Sequence, residues 1–241
     1  MLTGTIPASD FSLSAGGGAY FGGHFTRYSL SVDCQSSGNA VKATASQHAN
    51  HFNFGGFLFL DGTWAVFSLG FHGGNSSFRE VMTVDSSVGR YLDTATEGIG
   101  REMMFTLALL GKYPFTLNER FTVFPLAGIE YQISMRQRRQ PDGRRLYSRT
   151  NGVQEVDANG KPYKMSAWNA FMVNLGGGLD IALTSPLFLR METLYAIRLQ
   201  TNYEKDALEK TKIGVNATDR PRLRGLSSGP TLRIAVGWRF F

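Results

Sequence analysis

Between Phe121 and Met135 every odd-numbered residue is apolar: Phe121, Val123, Pro125, Ala127, Ile129, Tyr131, Ile133 and Met135. The even positions read Thr122, Phe124, Leu126, Gly128, Glu130, Gln132 and Ser134, and turn polar halfway along. Period two is the period of a strand, not of a helix. Sustained from 121 to 135, it is far longer than the ~5–6 residues of an ordinary strand. A chain that repeats this pattern must build long strands with two chemically different faces.

The pattern does repeat. From Leu187 one face reads Leu187, Leu189, Met191, Thr193, Tyr195, Ile197 and Leu199, and the other carries Arg190, Glu192 and Arg198. The closing residues alternate Leu232, Ile234, Val236, Trp238 and Phe240 against Arg233, Gly237 and Arg239. Shorter versions lie at 11–22, 51–60, 65–72, 102–109 and 171–181. These make eight expected strands. Only 203–212 hints at helical spacing, and its polarity marks it as loop.

Connections alternate in length. Asp61-Gly62 signals a tight hairpin, and 112–120 and 184–186 are also short. The others, about 31–50, 73–98, 136–167 and 203–229, are long and polar. Short turns at one end and long loops at the other is the plan of a transmembrane β-barrel. Composition agrees with it. Charged residues are 18%, against ~25% in soluble domains, and glycine fills 28 of 241 positions, against ~7% on average. No apolar run approaches the ~18 residues of a membrane helix, which a barrel does not need. Met1 to Thr5 shows no basic or apolar leader, which fits either a cytosolic protein or one whose signal peptide has been removed, and the rest of the chain favours removal.

Charge fixes the register. A basic side chain facing lipid at mid-bilayer costs ~2–4 kcal/mol, so Arg190, Glu192 and Arg198 must face inward. The lumen is then expected to hold an ion-pair network. Asp180, Arg190 and Arg239 lie low in it, and Glu102, Glu130, Arg198 and Arg233 lie nearer the middle, with Glu192 beside them. Gln132, Gln200 and Asn174 surround the network. Gly16, Gly18, Gly70, Gly128, Gly176, Gly178 and Gly237 point inward and leave room for the arginines. Tyr113, Phe115, Phe121, Trp238 and Phe240 gather near the turn end, and Tyr131, Trp168 and Tyr195 near the loop end. Such belts suit the two membrane interfaces.

The last ten residues, LRIAVGWRFF, resemble the terminal strand of bacterial outer-membrane proteins, with Phe241 as one extra residue. The whole chain is similar in plan to small eight-stranded barrels such as the OmpA membrane domain, OmpX and OmpW. The resemblance implies an outer-membrane location, outer-membrane lipid as partner, and folding by the barrel assembly machinery. Gly237, Trp238, Phe240 and Phe241 would be the assembly signal. The expected fold is therefore one all-β domain over 1–241. It is an eight-stranded antiparallel up-and-down transmembrane barrel with short periplasmic turns and four long extracellular loops.

Chemistry is sparse. His48 and His51 lie three apart, but no cysteine or nearby acid completes a metal site. Ser68, His72 and Glu102 are the one trio that could be arranged as nucleophile, base and acid. The glycine-rich run 14–23 lacks phosphate-loop spacing. Cys34 is the one cysteine, which excludes an internal disulfide. No catalytic residue, metal or cofactor is expected. Between 136 and 149 lie six arginines: Arg136, Arg138, Arg139, Arg144, Arg145 and Arg149. Outside a cell this loop would meet phosphates, sulfated host glycans or other anionic surface ligands rather than nucleic acid, through bidentate pairing. The expected role is structural or adhesin-like. The alternatives are a narrow channel for small or apolar solutes and a lipid A-modifying barrel enzyme. A lipocalin-like soluble barrel would require an apolar lumen, which strand Leu187–Leu199 contradicts.

Overall fold

The computed structural model describes residues 12–36, 39–86, 89–141, 166, 169–199 and 222–240. The strands are β1 (Leu13–Ser36), β2 (Asn39–Gly62), β3 (Ala65–Ser86), β4 (Gly89–Lys112), β5 (Phe115–Thr116), β6 (Phe121–Pro141), β7 (Ala170–Ala182), β8 (Leu187–Arg198) and β9 (Arg222–Arg239). All pairings are antiparallel between sequence neighbours, and β1 also pairs with β9 and β4 with β6. The sheet therefore closes on itself as eight long strands. The two-residue β5 is a stub that pairs with the foot of β6 inside the turn. Closure pairs every long strand on both sides through the apolar zone, as a wall exposed to lipid requires.

The turns are tied by short local bonds. Asn118 Oδ1 accepts from the N–H groups of Arg120 and Phe121, both at 2.9 Å, and holds the β4–β6 connection. Lys112 N–H donates to Trp64 O at 2.8 Å, and Phe240 N–H to Leu13 O at 2.9 Å. These bonds lock neighbouring feet of the barrel together.

At the other end the sequence expectation is corrected. The stretches 31–36, 39–50, 73–86 and 89–98 are strand, not loop. β1 and β2 pair without a break up to Ser36↔Asn39, and β3 and β4 up to Ser86↔Gly89. β1 is 24 residues long, about 80 Å at ~3.3 Å per residue, whereas a membrane span takes ~9–11 residues. The upper halves of these hairpins extend beyond the length that a membrane span needs. Hydrophobic alternation disappears there while the backbone ladder continues. Among the described residues β7 and β8 are 13 and 12 residues long, about half the length of β1. A register shift at Met103/Met104 leaves Met135 of β6 unmatched, a bulge where the wall leaves the apolar zone.

Outward residues are apolar through the lower part of every long strand. Leu58 is 63% exposed, Ile129 54% and Val236 46%, whereas Arg190 and Glu192 are 1% exposed in the interior. A charged inside wrapped by an apolar outside is the inverse of a soluble barrel. It is the architecture of an outer-membrane β-barrel.

Candidate functional site

The lumen is built by the residues that alternate with the lipid-facing ones. Its lowest layer centres on Arg190 of β8. The guanidinium Nε and Nη2 each donate to Asp180 of β7 at 2.7 Å, and Nη2 also contacts Asp61 of β2. Lys112 Nζ, at the foot of β4, reaches the same Asp61 at 2.6 Å. Three rings box the guanidinium: Phe59, Phe124 and Phe188, with centroids 4.6, 5.1 and 5.2 Å away. Cations over ring faces gain most when desolvated.

A second layer centres on Arg233 of β9. It donates to Glu130 of β6 at 2.8 Å and to Ser68 of β3 at 3.3 Å, and lies over the rings of Tyr20 and Phe57. Glu130 also accepts from Gln132 and Asn174. Glu192 joins the layers. Its oxygens lie 3.9 Å from Arg190 Nε and 3.9 Å from Arg233 Nη1, and neither accepts a hydrogen bond among the described residues.

Above them, Glu102 of β4 meets His51 of β2, Nδ1 to Oε1 3.4 Å, with Asn53 turned so that its amide donates to the same carboxylate at 2.9 Å. Arg198 is half-buried on the inward face of β8, where its register partners are Met172 and Ser227.

The structure thus brings Asp180 to Arg190 and Glu130 to Arg233. It does not place Arg239 with them: that residue is exposed at the barrel foot, its guanidinium 5.1 Å from the Phe188 ring. The glycines also serve a different end from the one expected. A Cβ on Gly178 would run into the Phe124 ring, one on Gly237 into Phe188, and one on Gly16 into Phe59. Inward rings, not arginines, pack against these three glycines, whereas a Cβ on Gly18, Gly128 or Gly176 would meet the backbone of the next strand and one on Gly70 the Thr106 hydroxyl. Sequence reasoning missed Asp61, Lys112 and the rings. Asp61 and Lys112 stand next to turns in the sequence, yet each shares parity with the inward face of its strand.

The other candidates come apart. His48 and His51 lie on a strand, so an odd spacing puts them on opposite faces, His48 exposed and His51 inward. No group of three metal-ligating side chains occurs among the described residues. Ser68 faces Arg233 and Glu102 faces His51, while His72 stacks on Tyr20 at 4.6 Å. The Ser68, His72 and Glu102 trio is therefore not assembled.

At the carboxyl end Gly237 faces inward and Trp238 is 50% exposed. Phe240 is 55% exposed at the foot, and Phe241 lies outside the described residues. Trp64, Tyr113 and Phe115 form a ring cluster at the same end, with neighbouring centroids 5.3 and 4.9 Å apart. Near the other interface Tyr131 lies against Phe171 at 4.6 Å. Trp168 and Gln200 lie outside the described residues, as do Arg144, Arg145 and Arg149. The backbones of Arg136, Arg138 and Arg139 continue β6 in register with Met103, Arg101 and Gly100. Cys34 is in β1, opposite Val41, not in a loop.

No family model matches the chain, and no curated protein matches it. Among solved structures it is similar to the outer membrane protein OprG from Pseudomonas aeruginosa, at 13% identity over 95% of each chain with a TM-score of 0.43. It is also similar to the translocator domain of autotransporter NalP from Neisseria meningitidis, at 13% identity over 92% of this chain and 88% of that one, TM-score 0.27. A third is the TodX monoaromatic hydrocarbon channel, at 9% identity over 93% and 91%, TM-score 0.17. At these scores it is the chain's own geometry that fixes its architecture.

Proposed function

We propose that this outer-membrane barrel acts through what it holds outside the cell and not as an axial pore. One observation carries this reading: Arg190, 1% exposed, is clamped between Asp61 and Asp180 and boxed by three rings across the narrow foot of the lumen. An eight-stranded barrel has room for little more than its own side chains. The basic segment from Arg136 to Arg149 then serves as an anion-binding surface for phosphate or sulfate groups. Planar-bilayer recording tests the first half. The wild-type protein is expected to show no steady current, and a reproducible open step would overturn the reading. Charge reversal at Arg138, Arg139, Arg144 and Arg145 tests the second. It should abolish heparin and lipopolysaccharide binding, and unchanged binding would remove this loop from consideration.

A passage for apolar solutes through the wall is a second reading. What favours it is a groove of about 580 Å³ on the lipid face, where Pro125, which lacks an N–H, sits opposite Gly177 beside Thr193. Filling it with Gly177→Leu should slow uptake of an apolar dye into liposomes if the groove is an entrance. Equal uptake would discard it.

A further inference from the structure

The outer face of β4 and β6 holds a conflict of charge. Arg101 of β4 stands directly opposite Arg138 of β6, and Arg136 stands just below, opposite Met103. Arg101 is exposed and has no ion-pair partner among the described residues. On its other side its register partner is Asn75 of β3, with Ser77 one step above, both exposed and neutral. Among the described strands the nearest acid on this face is Glu97. It stands opposite Arg79 and lies ~13 Å up β4 from Arg101 at ~3.3 Å per residue.

The apolar band sets the height of this pair. On β4 the outward positions above Gly111 are Leu109, Leu107, Phe105 and Met103, and this stretch matches the ~9–11 residues of a membrane span. Arg101 is the first outward residue beyond it. On β6 the register shift places Met135, 56% exposed, just beneath Arg136. The arginines therefore begin where hydrocarbon gives way to headgroups.

Like charges directly opposite on one face of a sheet destabilise the pairing. Their Cβ atoms lie ~4.5–5.5 Å apart in an antiparallel pair, so one anion can be reached from both positions. Phosphate suits guanidinium best, because it accepts two parallel charge-assisted bonds from each. Asn75 and Ser77 supply neutral donors alongside. Height then selects the source. A phosphate held here on an acylated lipid leaves its chains against Met103, Met135 and Phe105.

We propose that Arg101, with Arg138 in register beside it, binds the phosphate of an acylated, phosphorylated lipid of the outer leaflet, with Asn75 and Ser77 as supporting donors. The inference rests on the anion-binding reading of segment 136–149 and deepens it. It adds a residue of the wall, Arg101, and names lipid phosphate as the ligand.

The test uses full-length protein refolded in phosphatidylcholine vesicles, with insertion checked by the heat-dependent gel shift. Arg101 is exposed above the band, so its variants should insert like wild type. Wild type, Arg101→Gln, Arg138→Gln, the double variant and Arg101→Lys are titrated with bis-phosphorylated lipid A, the same lipid after dephosphorylation, heparin and inorganic phosphate. Arg101→Gln should weaken binding of the phosphorylated lipid at least about tenfold and leave heparin binding within about twofold. Dephosphorylation should erase the difference between wild type and Arg101→Gln, and inorganic phosphate should compete only weakly. The double variant should lose less than the product of the two single losses, because both arginines hold one group. Arg101→Lys should recover part of the affinity.

Equal binding of phosphorylated lipid by wild type and Arg101→Gln overturns the inference. If the charge reversal at Arg138, Arg139, Arg144 and Arg145 still abolishes binding, the reading of the segment survives that failure. If that reversal changes neither heparin nor lipid binding, the reading of the segment fails and the inference with it. Undiminished binding after dephosphorylation overturns phosphate as the ligand. An equal loss for heparin and lipid, or strong competition by inorganic phosphate, overturns the lipid assignment. Single losses that multiply in the double variant overturn the shared phosphate. A lysine variant as weak as the glutamine variant overturns the charge argument.

Discussion

The Arg190 guanidinium touches the Asp61 carboxylate although 129 positions of chain and two strands of wall, β9 and β1, separate them. The contact draws β8 and β2 together across the foot of the lumen, where Asp180 and Lys112 complete the cluster. Its energetic signature is that of a buried pair: removing one partner costs far more than the pair itself contributes.

Arg190→Met should therefore be severe. Lys112 still holds Asp61, but Asp180 is left as a buried charge without a partner. A loss of about 3–5 kcal/mol is expected, read from the urea midpoint of the refolded barrel. Adding Asp180→Asn should recover most of it. A single variant as stable as wild type would show that the cluster is not buried.

The rings that lie over inward glycines make a second prediction. Gly237→Ala and Gly178→Ala would force Phe188 and Phe124 out of place, at about 1–3 kcal/mol each. Gly56 faces outward, and a Cβ there meets nothing closer than Gly18 O at 3.5 Å. Gly56→Ala should be neutral or stabilise by up to about 1 kcal/mol. If all three behave alike in urea unfolding, the packing argument is wrong.

Register can be tested with charge. Leu58→Arg, in mid-band, should cost about 2–4 kcal/mol, and Asn50→Arg, above the band, about 0–1 kcal/mol. Matching losses at both positions would mean that the band is misplaced.

The two arginine layers act in series. Arg233→Ala alone opens the middle of the lumen but leaves the Arg190 layer below it shut, so bilayer current should stay at baseline. Arg190→Ala/Arg233→Ala together should produce a measurable current. A current from Arg233→Ala alone would show that the lower layer does not seal.

The sequence made the barrel legible because lipid enforces a strict alternation. Leu187–Leu199 can have only one side in hydrocarbon, and Arg190, Glu192 and Arg198 say which. The same logic failed above the membrane. Residues 39–50 and 73–86 carry polar and small residues on both faces, so nothing in their polarity marks them as strand, and only the ladder opposite β1 and β4 does. Which arginine meets which acid was legible only in part. The inward parity of Asp180 and Arg190 could be counted, but Asp61 and Lys112 were hidden by their position next to turns. Arg239 shares that parity yet falls one step too low and ends in solvent beside Phe188. Parity gives the face of a residue, and the stagger of the closed sheet gives its height.

The tall β1–β2 and β3–β4 hairpins act as stiff uprights on one side of the molecule. Their continuous hydrogen bonding fixes how far from the bilayer Ser36 and Asn39, or Ser86 and Gly89, are held. A hydrogen-bonded ladder that long carries backbone order well past the membrane on the β1–β4 side, so whatever these hairpin ends meet, they meet it as stiff strand and not as slack loop.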